Sequence, residues 1–252
     1  MDIWKYFDIT HREHTFCNPM SSEKFDRLVG LLRLRPGARV LDIASGKAEF
    51  IIRLAERYRV EGVGVDISPY FIADAKKKHR QRVPEAQLSF LEMDGAEFEP
   101  DKPVSFDLVA CIGASWVWGG HRGTLKALNG MAATGGWLVV GEPHWRQEPT
   151  DEYLEAEEIE RNQFGTHYEN MEAGRELGLE LAYTLVSNQD DWDEYQGLQW
   201  YTTERWAGEN PEDPDAEEVL KRVRRSKEAY LKWGRETMGW AIYVFQKGGC
   251  TQ

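Results

Sequence analysis

Val40-Leu41-Asp42-Ile43-Ala44-Ser45-Gly46-Lys47-Ala48-Glu49-Phe50 is the stretch whose reading decides the fold. An apolar run ends in an acid, passes through small residues, and gives way to helical spacing at Ile51, Ile52, Leu54 and Ala55. That order describes a buried strand, a tight turn and a helix packed back on the strand. Small residues in the turn let the backbone come close to a ligand. The helix that follows offers unpaired N–H groups and a partial positive charge at its start, which suits an anionic group such as a phosphate or carboxylate.

Outward from this turn, strand and helix patterns alternate, the signature of a mostly parallel sheet covered on both faces. Before it, Pro19 and Ser21–Ser22 introduce a helix with Phe25, Leu28, Val29 and Leu32 on one face, and Pro36–Gly37 breaks the chain. Strands are expected at 39–44, 60–67, 87–92, 106–112 and 137–142. Pro69 starts a helix after the second of them, and another helix is expected near 124–133. Residues 151–177 read as helical, and strands follow at 179–187 and 239–246. About fifty residues separate the last two strands and read as two helices broken near Pro211–Pro214. The expectation is a single domain over 1–252, an α/β Rossmann-like sheet of seven strands, with a cap segment at 1–20 and a helical insertion at 188–238.

The strand tips carry the chemistry. The second strand ends in Asp66, about twenty residues after Gly46, where a carboxylate can accept hydrogen bonds from two ribose hydroxyls. The third ends in Met93-Asp94-Gly95-Ala96, an acid able to accept from an exocyclic amine beside small residues that admit a flat ring. The fourth ends in Cys111-Ile112-Gly113-Ala114, small and apolar. Open α/β sheets bind ligands at the carboxyl ends of their strands, so these tips share one crevice suited to an adenosine-bearing ligand.

Taken in order, these segments resemble the class I S-adenosylmethionine-dependent methyltransferases over about residues 20–187 and the last strand. The family's first motif, D/E-x-G-x-G-x-G, is met by Asp42-Ile43-Ala44-Ser45-Gly46-Lys47-Ala48, with alanine in place of both flanking glycines; a left-handed backbone at 44 or 48 would be strained. The resemblance implies that Asp42, Ala44 and Gly46 line the methionine moiety of S-adenosylmethionine, Asp66 the ribose, and Asp94 and Gly95 the adenine. Ile67 and Phe71 would pack on the adenine faces and Cys111 would close the fourth tip. S-adenosylhomocysteine would be the product. A narrower likeness, to the bacterial YjhP-like branch, covers nearly the whole chain. It rests on His14 with Asn18-Pro19, Gly113-Ala114-Ser115-Trp116 with Gly119-Gly120, Gly141-Glu142-Pro143-His144-Trp145-Arg146, and Trp192-Asp193-x-Tyr195 with Trp200. It implies a small-molecule acceptor.

Two other readings compete. A nicotinamide-dependent oxidoreductase would need G-x-G-x-x-G for its pyrophosphate; Ala44 to Glu49 lacks the first and last glycine, and Asp42 and Glu49 would add negative charge. A sensor or inactive partner subunit would bind the cofactor but needs no acceptor pocket.

That pocket is expected past the fourth and fifth strands. Trp116 and Trp118 follow the fourth, and Glu142, His144 and Trp145 the fifth. Methyl transfer is an in-line displacement in which the protein mainly aligns the partners and excludes water. Where a base is needed, His144 is the candidate, because its ordinary pKa lies near neutrality, with Glu142 orienting it or binding a cationic acceptor. Alternatively, His144 only packs and bonds to backbone. The connection between the last two strands starts and ends on the cofactor face, so 188–238 would form a lid, with Tyr6, His14 and Asn18 closing the other side. Of the ten tryptophans only Trp4 precedes Ser115. Trp192 and Tyr195, with Trp200, Tyr201 and Trp206, would then form an aromatic box, or else glue the lid to the core.

Charge and composition narrow the partners. Net charge is −12, with Lys+Arg 31 against Asp+Glu 43. Repulsion opposes phosphate binding, and Lys76–Arg82 and Lys221–Arg225 read as solvated helix faces. The DPPY or NPPY motif expected of adenine- and glutamine-amide methyltransferases is absent. These features speak against nucleic acid bases and protein amides, and no nucleic-acid partner is expected. No apolar run of about 18 residues suggests a membrane span. The start, MDIWKYFDITHREH, lacks the pattern of a signal peptide. Cys17, Cys111 and Cys250 form no Cys-x-x-Cys pair, so neither zinc nor any other metal site is expected. A cytoplasmic, reducing location fits best.

Overall fold

A computed structural model describes residues 1–100 and 105–248 of the chain. Cys250 lies outside the described residues. β1 (Arg39–Ile43), β2 (Glu61–Asp66), β3 (Leu88–Glu92), β4 (Phe106–Ile112), β5 (Ala132–Trp145), β6 (Leu179–Val186) and β7 (Met238–Lys247) form one sheet in the order β3-β2-β1-β4-β5-β7-β6. β1 to β5 run parallel, and β7 is antiparallel to both its neighbours. The order reverses between β1 and β4, which opens a crevice at their carboxyl ends.

Each face of the sheet buries a separate layer. Phe25 and Leu28 of α2 (Ser22–Leu32) and Ile51, Ile52 and Leu54 of α3 (Glu49–Tyr58) pack on Val40, Leu108 and Val139. On the other face, Leu125 and Leu128 of α5 (His121–Met131) and Ala173 of α7 (His167–Glu176) pack on Leu41, Val109 and Val140. α4 (Pro69–Arg82) begins as its sequence predicts, with Pro69 in the first turn and Ser68 accepting a hydrogen bond from Phe71 N–H.

Three segments differ from the sequence reading. β5 continues to Trp145, three residues past the expected end at 142, paired with β7 through Glu142↔Ala241, Pro143↔Trp240 and His144↔Gly239. β4 stops opposite Gly141, so beyond it β5 has a ladder partner on one side only, where proline is tolerated. Residues 151–177 hold two helices, α6 (Asp151–Glu157) and α7. α6 ends at Glu158 in a left-handed conformation, φ 58°, and Thr166 restarts the helix with a capping box to Glu169. The cap segment contains a helix of its own, α1 (Ile3–Thr10), started by Asp2.

The insertion forms α8 (Gln189–Glu209), α9 (Ala216–Ala229), a π-helical turn at Tyr230–Gly234 and the short α10 (Arg235–Thr237). α8 starts with a capping box between Asn188 and Asp191, and the break before α9 holds Pro211 and Pro214. Tyr6 and Ile9 of α1 pack on Trp206, Val219 and Val223 of α8 and α9. Cap and lid therefore touch each other instead of closing the crevice independently. No helix among the described residues is long and apolar enough to cross a membrane.

Candidate functional site

The turn after β1 is held by its neighbours. Ala44, Gly46 and Ala48 lie in the left-handed region with φ 52°, 54° and 59°. Two L-residues thus occupy conformations that cost about 1–2 kcal/mol each. The Asp66 carboxylate at the tip of β2 offsets this cost locally: Oδ2 accepts from Gly46 N–H and Oδ1 from Ser68 N–H, each at 2.8 Å. One side chain fixes both the turn and the start of α4. Burial raises the Asp66 pKa, although those backbone N–H groups pull it the other way. Asp42 is 2% exposed, and burial, helped by the charge of Asp66, pushes its carboxyl up to about 8.

Lys47 ties this turn to the cap. Its buried Nζ donates to His11 O at 2.7 Å and Arg12 O at 3.1 Å, carbonyls at the C-terminal end of α1. It was visible in the sequence only as a variable position of the motif.

A cavity of about 670 Å3 opens on this turn. Asp42, Ala44, Gly46 and Asp66 line it, as do Ile67 and Phe71 after β2 and Asp94 and Gly95 after β3. Ile67 is 42% exposed, an apolar side chain presented to the opening. Gly95 and Gly113 are irreplaceable in shape: a Cβ on Gly95 would sit 2.5 Å from Ile43 Cγ2, and one on Gly113, at φ +85°, 2.3 Å from Asn18 Nδ2.

The opposite wall comes from cap and lid. Trp192 and Tyr195 of α8 line the cavity, and so does Trp116, 68% exposed after β4. They are joined by residues that the sequence did not single out: Trp4, Phe7 and His11 of the cap, and Trp240 of β7. Asn18 Nδ2 donates to Ile112 O at 3.2 Å, docking the cap on the β4 tip. No sequence signal separates His11 from His14, the histidine expected at this wall. Trp240 carries none, being one apolar residue in a strand.

Tyr6, Trp200, Tyr201 and Trp206 do not line the cavity, and neither do six further expected site residues. Glu142 and His144 lie within β5, where side chains alternate. Pro143 faces the cavity; Glu142 and His144 face the layer under α5 and α7. Glu142 Oε1 accepts from Ser115 Oγ at 3.0 Å, and burial pushes its carboxyl up to about 7. His144 lies beside His167 with ring centroids 5.0 Å apart and the rings tilted by 45°, and burial lowers its pKa to about 4. Neither reaches the cavity, because β5 is longer than its apolar run. Cys111 is fully buried with Sγ against Ala114 O at 3.6 Å. His14 is behind the wall, its Nε2 bonded to Tyr195 O at 2.9 Å. Trp118 packs into the layer below α5, and Trp145 fills a cluster with Tyr153, Ala229 and Met238 while donating to Arg161 O at 3.0 Å. Trp145 and Trp206 thus serve as glue.

The residues present fit an adenosyl ligand bearing an amino acid. Ser45 Oγ is buried without a hydrogen-bond partner in the cavity wall, Asp66 sits at the second tip, and two glycines keep the floor clear. Among the described residues no three His, Cys, Asp or Glu side chains gather as a metal site.

Comparison with known proteins agrees with this geometry. Residues 40–136 match the family described as methyltransferase domain. The Escherichia coli (strain K12) protein YjhP is 33% identical over 246 residues, 97% of this chain and 98% of its own. A methyltransferase structure from Geobacter sulfurreducens, solved with S-adenosyl-L-homocysteine, superposes with a TM-score of 0.89 at 32% identity, covering 96% of this chain and 97% of that one. One from Thiobacillus denitrificans, in complex with the same molecule, gives 0.88 at 35% identity over 97% and 99%. The resemblance in the strand tips, the sheet order and the similarity along nearly the whole length converge: this chain belongs to the YjhP-like branch of the class I S-adenosylmethionine-dependent methyltransferases.

Proposed function

We propose that the cavity binds S-adenosylmethionine along the tips of β1 to β4 and transfers its methyl group to a small molecule held between cap and lid. The observation that carries this reading is the single cavity joining Asp66 and Asp94 at one end to Trp192 and Tyr195 at the other. When bound, the cofactor supplies an electrophilic methyl group on a sulfonium. The protein's part is to hold and align. Asp66 accepts from the ribose hydroxyls, Ile67 and Phe71 flank the adenine, Asp94 accepts from its amine, and Asp42, Ala44 and Gly46 line the methionine end. Cap and lid bring aromatic side chains over the reacting end and exclude water. The presence of cofactor and acceptor walls in one space favours an enzyme over a sensor, which needs only the first.

Calorimetry tests the first half. S-adenosylhomocysteine should bind wild-type protein at micromolar levels, and NAD should not compete. A metabolite-extract screen that follows S-adenosylhomocysteine release and the new mass tests the second; saturable cofactor binding with no methylated product in any extract would favour the sensor.

A further inference from the structure

Tyr195 and His11 form a hydrogen-bonded pair in the acceptor wall, and the direction of their bond is fixed by its surroundings. His11 Nδ1 lies 3.2 Å from Phe7 O and 3.0 Å from Thr10 Oγ1. The carbonyl can only accept. The Thr10 hydroxyl has two carbonyl acceptors, Tyr6 O at 3.0 Å and Phe7 O at 3.4 Å, and a proton given to either leaves a lone pair toward His11. Both neighbours therefore require the proton on Nδ1. Burial, helped by the charge of Lys47, pushes the His11 pKa down to about 3, so the ring carries no second proton. Nε2 is then a bare lone pair, 2.9 Å from the Tyr195 hydroxyl, and the tyrosine donates to it. Oη also lies 3.5 Å from Cys17 O, a longer contact than the bond to His11, so with its proton committed to Nε2 Tyr195 can offer the cavity it lines only a lone pair. The tyrosine backbone is anchored too, its carbonyl accepting from His14 Nε2.

Charge on this side of the cavity is already spent. Glu49 is engaged by Arg53, Lys78 and Arg82, each at 2.8 Å. Lys47 is engaged by cap carbonyls. The remaining wall is aromatic or uncharged, including Phe7, Phe16, Trp192 and Trp240. A bare carboxylate or phosphate would find an acceptor facing an acceptor and, among the described residues of the wall, no free cation.

We propose that the molecule methylated here is uncharged and largely apolar and presents an O–H or N–H donor to Tyr195 Oη, with His11 as the positioning residue that sets this polarity. The inference rests on the acceptor-pocket reading above and deepens it.

The first measurement needs no acceptor. Nitrogen-15 NMR of histidine-labelled protein should show His11 as the neutral Nδ1–H tautomer; an Nε2–H tautomer overturns the proposal. The second uses the protein saturated with S-adenosylhomocysteine, with saturation checked by calorimetry, and titrates phenol, toluene, benzoate and tetramethylammonium. Phenol and toluene share a shape, so toluene should win wherever only apolar contact counts. The expected result is phenol binding about tenfold tighter than toluene, the size of one net hydrogen bond, and tighter than either ion. Tyr195→Phe should erase the preference for phenol, and His11→Phe should weaken it while S-adenosylhomocysteine affinity holds. Toluene matching phenol in the wild type, either ion binding more tightly than phenol, or a preference that survives Tyr195→Phe would each overturn the proposal. If S-adenosylhomocysteine binds normally while phenol shows no advantage, only this inference falls. If it does not bind at all, the pocket reading falls and takes the inference with it.

Discussion

At one end of the cavity the ligand-facing groups come from consecutive strand tips, Asp42, Asp66, Asp94 and Gly113, spaced along about seventy residues of sequence. At the other they come from opposite ends of the chain: Trp4 to Asn18 of the cap, Trp192 and Tyr195 of the lid, and Trp240 of β7. The first end uses backbone donors and carboxylates whose places follow from sheet topology. The second uses aromatic surface whose place follows from how α1 packs on α8 and α9. The difference separates two properties of the enzyme. On the proposed reading, cofactor binding is set by the sheet, and acceptor choice by a helical layer that can vary without disturbing it. Lys47 couples the two, reaching from the cofactor turn to the end of α1, and Asn18 does so from the cap to the β4 tip.

The largest effect should come from the cofactor end. Asp66→Ala removes a carboxylate placed to accept two charge-assisted hydrogen bonds, and S-adenosylhomocysteine affinity measured by calorimetry should fall about 100-fold or more. An affinity within threefold of wild type would mean that the ribose does not lie at this tip.

Next is the coupling between the ends. Lys47→Met removes the donor to the His11 and Arg12 carbonyls, bonds to a charged group worth about 1.5–3 kcal/mol each. Amides of α1 and of residues 11–20 should exchange with deuterium about tenfold or more faster, while those of β1 to β4 keep their protection. Uniform protection in the variant would show that the cap is held without Lys47, by its packing on the lid and the Asn18 bond to β4.

A smaller effect concerns Asp42. Its carboxyl is raised by burial from 3.8 to about 8, so between those values the folded protein holds a proton that the unfolded chain releases. Stability attributable to this group therefore falls as pH rises through that window, by at most about 1.4 kcal/mol per pH unit. Lowered histidines such as His121 and His144 act with the opposite sign below about 6.5, so the informative quantity is a difference. Asp42→Asn should gain stability relative to wild type from pH 5 to pH 8 in chemical denaturation, and a constant difference would contradict the raised pKa.

The smallest concerns the strained turn. Ala44→Gly relieves a left-handed alanine at φ 52° but adds freedom to the unfolded chain, and stability should rise by no more than about 1 kcal/mol. A clear loss would mean that the alanine methyl packs usefully enough to outweigh the strain.

The same contrast explains what was legible in the sequence. β1, β2, β3 and β4 could be read because their apolar runs are bounded by turn residues, and their tips followed from the strand ends. Every expected cofactor residue except Cys111 lines the cavity. Cys111 fails because it lies inside β4, one position short of the tip. The acceptor end was legible only as a location. His144 and Glu142 were read as residues past a strand end, but β5 runs on through Pro143 to Trp145, and alternation turned them away. His11 and His14 are both buried beside Tyr195, and nothing in the sequence distinguishes the one that lines the cavity from the one behind it. Contacts between residues nearly two hundred positions apart, such as His11 with Tyr195, leave no periodic trace in the chain.

The most direct test of the two-ended cavity is a crystal structure of the protein with S-adenosylhomocysteine. The ligand should lie along the tips of β1 to β4, with its ribose hydroxyls on Asp66, its adenine between Ile67 and Phe71 beside Asp94, and its sulfur facing the space bounded by Trp192 and Tyr195. A ligand bound elsewhere, or one whose sulfur faces away from cap and lid, would contradict the division of the cavity into a cofactor end and an acceptor end.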